Sequence, residues 1–94
     1  MNKILIIYFD FSQLSSNIME TILLRIGYDF FKIKDGLFLV STNITPKNLF
    51  EAIIGNFHQP VDINIFVCEM NHNAYWGYMN GELWDWINKH KPLL

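Results

Sequence analysis

The chain has 94 residues, of which 51% are apolar, 16% aromatic and only 17% charged, with a formal net charge of −2. Its length falls within the ~50–250 residues of typical domains, so one domain over residues 1–94 is expected, and its composition is too apolar for a disordered chain. Seven basic against nine acidic side chains leave no basic excess to attract nucleic acid.

Residues 4–9, Ile-Leu-Ile-Ile-Tyr-Phe, are continuously β-branched, aliphatic or aromatic, which predicts a strand buried on both faces. Ser12, Ser15, Ser16 and Asn17 then offer several helix caps; Asn17 with Glu20 resembles a capping box, and Ser12 is an equally good start. Leu14, Ile18, Ile22 and Arg25 recur at helical spacing, as do Met19, Leu23 and Ile26, so a helix with a broad apolar stripe is expected, stopped by Gly27. Two β-rich runs, 30–34 and 37–40, flank Asp35-Gly36, which predicts a hairpin with a type I′ turn. Thr45-Pro46 reads as an N-cap followed by proline at the first helical position, opening a helix that carries Leu49, Phe50, Ile53, Ile54 and Phe57 and ends before Pro60. A fourth strand is expected over 63–69. In the segment 73–90, Asn80-Gly81 marks a turn, and Leu83, Trp84 and Ile87 fit one face of a short closing helix.

The order strand, helix, strand, strand, helix, strand predicts an α+β, ferredoxin-like βαββαβ fold: a four-stranded antiparallel sheet with two helices on one face, plus an aromatic C-terminal segment with a short helix. Two helices cover one sheet face. The first strand is nevertheless apolar on both (Ile4, Ile6, Tyr8 against Leu5, Ile7, Phe9), and so is the third (Leu37, Leu39 against Phe38, Val40). Either the C-terminal segment or a second subunit has to cover the other face. Ile4, Ile6, Tyr8, Phe38, Trp76, Trp84 and Trp86 are therefore the candidate dimer or partner interface.

Cys68 is the single cysteine, so no intrachain disulfide can form. No apolar run reaches the ~18 residues of a membrane span. The apolar run 4–9 imitates an export signal, but Asp10 closes it short of the ~7–15 residues such a core needs. A cytoplasmic protein without membrane attachment is expected.

Few residues suggest chemistry. Asp10 ends an apolar strand; facing its copy across a dimer, it could hold Mg²⁺ through few protein ligands and several waters. The competing reading is a helix cap or a loop carboxylate, and it ranks first. His58, His72 and His90 do not pair at metal-ligand spacing, and Cys68, four residues before His72, fits a buried structural thiol better than a ligand. Lys32 and Lys34 share one face of the second strand and read as a solvated edge. Tyr75, Trp76, Tyr78, Trp84 and Trp86 could stack bases, but their charged neighbours are Glu82 and Asp85, which favours packing.

Three stretches carry a family likeness: Ile6-Ile7-Tyr8-Phe9-Asp10, residues 39–45, and Ala74-Tyr75-Trp76-Gly77-Tyr78 with Trp86-Ile87. Through them the chain resembles the SinR-family or CRISPR-adaptation-like small proteins, relatives of the small dimeric subunit of the CRISPR spacer-acquisition complex. Phe9 stands where those relatives commonly have tyrosine. The resemblance implies a ferredoxin-like fold, a dimer, and Asp10 as the metal and catalytic residue of any ribonuclease action.

The expected function is thus a small homodimeric interaction module, a defence- or phage-associated regulator acting by protein binding, with no cofactor. The alternatives are a Mg-dependent endoribonuclease using Asp10 and, last, a binder of single-stranded nucleic acid.

Overall fold

A computed structural model describes residues 2–57, 62–72, 76–77 and 80–92. In chain order the elements are β1 (Lys3–Phe9), α1 (Ser16–Ile26), β2 (Asp29–Lys34), β3 (Leu37–Thr42), α2 (Pro46–Ile54), β4 (Ile65–Glu69) and α3 (Gly81–His90). The strands form one antiparallel sheet in the order β2-β3-β1-β4. This is the expected α+β, ferredoxin-like βαββαβ arrangement, with α3 added after it. Pro60 and His58 lie outside the described residues.

The helix ends follow from local chemistry. Ser15 caps α1, its Oγ accepting the Ile18 N–H at 3.2 Å. Ser15 is one of the four caps the sequence offers; Ser12, another of them, is drawn into a turn built by Asp10. Gly27 ends α1 with φ +95° and donates its N–H to the Leu23 carbonyl. Thr45 caps α2 by accepting the Asn48 N–H at 3.1 Å, and Pro46 occupies the first helical position. Both helices pack on the sheet face formed by Leu5, Ile7, Phe9, Phe38 and Val40, burying Met19, Ile22 and Leu23 from α1 and Leu49 and Ile53 from α2. The α1 stripe is narrower than its spacing suggested, since Ile18 remains exposed.

The hairpin differs from its expected turn. Gly36 has φ +83°, but Asp35 does not have a positive φ, whereas a type I′ turn requires it at both positions. The pairing also shifts. Lys32 faces Phe38 and Lys34 faces Leu37, so Ile33 is accommodated as one extra residue in β2. A bulge with a single left-handed glycine therefore replaces the symmetric turn.

The second sheet face is covered in part by α3. Leu83 and Ile87 are buried against Ile4 and Leu39, with Ile6, Phe31, Ile33, Met70 and Trp86 packed around them. Asn80, expected in a turn, is the N-cap of this helix: its Oδ1 accepts the Leu83 N–H at 3.0 Å. At the other end, the His90 ring joins the Trp86 carbonyl to the Asp29 carboxylate and so ties α3 to β2. Among the described residues no helix is long and apolar enough to cross a membrane.

Candidate functional site

Asp10 lies in the connection after β1, not at a helix cap. Its Oδ1 accepts both the Ser12 hydroxyl, at 2.6 Å, and the Ser12 N–H, at 3.0 Å. Its carbonyl accepts the Gln13 and Leu14 amides, and its own N–H donates to the Asn64 carbonyl. The carboxylate thus closes a turn that aims the chain from β1 into α1. The Ser12 hydroxyl, then the Ser12 amide, hold the Asp10 carboxyl below its ordinary value. Among the described residues no group of three His, Cys, Asp or Glu side chains is arranged to hold a metal ion.

The expected interface residues separate into three groups. Ile4 and Phe38 are fully buried inside the chain, on opposite faces of the sheet, because Ile4 lies under α3 and Phe38 under the helix layer. Neither has surface to offer a partner, which corrects their place in that set. Ile6 and Trp86 pack against the α3 cluster, and the Trp86 ring lies 6.2 Å from that of Phe31. Tyr8, Trp76 and Trp84 retain accessible surface. Trp76 is 96% exposed, with its ring centroid 6.3 Å from that of Trp84.

Away from the end of α3 at His90, part of the second face stays exposed among the described residues. Leu37, Tyr8 and Phe66 form one cross-strand row over β3, β1 and β4. Tyr8 is 56% exposed and Phe66 62%. Tyr8 belongs to the interface expected from the sequence, and Phe66 does not. Its signal was present in the alternation of β4, where Phe66 and Cys68 occupy the face opposite Ile65 and Val67. The row ends at β4, an edge strand. The other edge, β2, carries Lys32 and Lys34, both exposed as expected, together with the bulge at Ile33. Charge and a bulge protect an edge from pairing, and β4 has only Glu69 to do so.

Cys68 is a half-buried free thiol on β4. Of the aromatic cluster, Tyr75 and Tyr78 lie outside the described residues, as does Ala74.

Compared with family models, with curated proteins and with solved structures, the chain finds no match.

Proposed function

We propose that the protein is a homodimeric interaction module that works by binding protein, a second copy of itself first, through the bare strip of its sheet. The observation that carries this reading is the adjacent, in-register exposure of Tyr8 and Phe66 beside an edge strand whose single charged residue is Glu69. Two large aromatic side chains left together in water are a favourable target for burial, at roughly 25 cal/mol per Å² of apolar surface. A stable interface takes about 800 Å² from each partner. That is more than two rings supply, so the contact includes the β4 edge as well. A two-fold axis is the usual way for such a self-complementary patch to close. A regulator of the SinR-family or CRISPR-adaptation-like kind would use a dimer of this sort as its platform. Sedimentation equilibrium tests the reading: a dimer is expected at micromolar concentration, and a species of 11.1 kDa throughout that range would overturn it.

A further inference from the structure

We propose that His90 and Asp29 form a binding site for a divalent transition-metal ion such as Zn²⁺, at the mouth of the cleft between the end of α3 and the β2–β3 side of the sheet. The two ring nitrogens of His90 have different partners. His90 Nδ1 lies 2.9 Å from the Trp86 carbonyl oxygen, which can only accept, so this nitrogen carries a proton. In the neutral ring, Nε2 is then a bare lone pair. That lone pair faces the Asp29 carboxylate, with Oδ2 at 3.2 Å. Two lone pairs so placed repel unless a cation lies between them, either a proton or a metal ion.

The separation lies within hydrogen-bond reach and is also one that a metal ion can span. Donors about 2.0–2.1 Å from one zinc at a tetrahedral angle lie roughly 3.3–3.4 Å apart, close to the observed 3.2 Å. Donation of the other imidazole N–H to a backbone carbonyl is the usual outer contact that orients a metal-binding histidine. The ring is held further by stacking on Trp86, with centroids 4.2 Å apart. His90 is therefore fixed in position, its side chain only 11% exposed, while Asp29 at 76% stays free to adjust.

The surroundings supply more oxygen. A cleft of about 330 Å³ opens beside the pair, lined also by Asn2, Ser41 and Asn43. Ser41 is 4% exposed, and among the described residues its hydroxyl oxygen meets no hydrogen-bond partner. A buried hydroxyl without a partner is costly, and a site for an ion with its coordinated water is one arrangement that satisfies it. Imidazole with carboxylate and water suits Zn²⁺ and its neighbours rather than Mg²⁺.

Calorimetric titration of the full chain with Zn²⁺ alone decides the matter. One ion per chain is expected, with affinity falling by about tenfold or more in both Asp29→Asn and His90→Gln. Asp29 is exposed, so Asp29→Asn should fold and remains decisive if His90→Gln does not. His58→Gln, His72→Gln and Cys68→Ser should bind as the parent does. Bound Co²⁺ should show visible absorption that Asp29→Asn weakens. Absence of binding would mean that a proton alone joins the pair and would overturn the proposal. So would binding that survives in Asp29→Asn, or that is lost instead in one of the three control variants.

Discussion

The Phe9 amide donates to the Gly36 carbonyl at 2.9 Å, so the tip of the β2–β3 hairpin is joined to the last residue of β1. The Gly36 amide in turn donates to the Ser16 hydroxyl in the first turn of α1, at 3.2 Å. Hairpin tip, strand end and helix start thus meet at one glycine. A Cβ built on Gly36 would lie 2.7 Å from the Phe9 carbonyl oxygen, and its φ of +83° already disfavours any other residue. Gly36→Val is expected to destabilise the protein by about 2 kcal/mol or more, read as a lower urea midpoint with unchanged slope. A variant that melts with the parent would show that this junction is not rigid.

Leu83 and Ile87 are the buried face of α3, each 4% exposed. Leu83→Ala or Ile87→Ala should cost about 2–4 kcal/mol if α3 unfolds with the rest of the chain. If α3 instead releases alone, Ile4 and Leu39 become accessible. Increased binding of a hydrophobic dye before the main transition would report that step.

Asp10→Asn keeps a carbonyl oxygen where Ser12 now donates, so the fold should survive with little loss of stability. Any RNA cleavage by the purified protein should be unchanged. Abolition of a Mg²⁺-dependent cleavage by this single substitution would promote Asp10 from turn former to metal ligand.

Two carboxyls make the fold sensitive to acid. Asp10 is held below the ordinary 3.8 by the Ser12 hydroxyl and amide, and Asp35 by the Lys32 ammonium and then by the Ser16 hydroxyl. A carboxyl whose value is lower in the folded state stabilises it above the unfolded value, and that contribution is lost as the pH falls through the folded value. Stability should therefore fall below about pH 3.8. Both groups are exposed, so the effect is modest and weakened by salt. Asp10→Asn/Asp35→Asn should show a flatter acid limb in urea titrations across this range.

Phe66→Glu places a charge in the bare row without touching either buried cluster. The variant should fold as the parent does and sediment as a monomer at concentrations where the parent is expected to dimerise. An unchanged mass would move the interface away from this strip.

Much of this protein is local, and local features are legible in one dimension. The apolar run of β1, Gly27 after α1, the Thr45-Pro46 start of α2 and the Asp35-Gly36 junction each depend on residues within about one helical turn or one strand repeat. They were sufficient for the βαββαβ order and for the surplus of apolar surface on the second sheet face. The tertiary structure decided what no short window contains. Asp29 and His90 meet across 61 positions, and Ile4 and Leu39 find their cover in Leu83 and Ile87, because α3 docks over β1, β3 and β2 and leaves Tyr8 and Phe66 bare. Ser15 caps α1 while Asp10 engages Ser12. Ile33 sits in a bulge, and the hairpin it belongs to is joined at Gly36 to Phe9 and Ser16, which lie far from it in the chain. Periodicity tells which side of an element is apolar, but packing chooses which other element meets it.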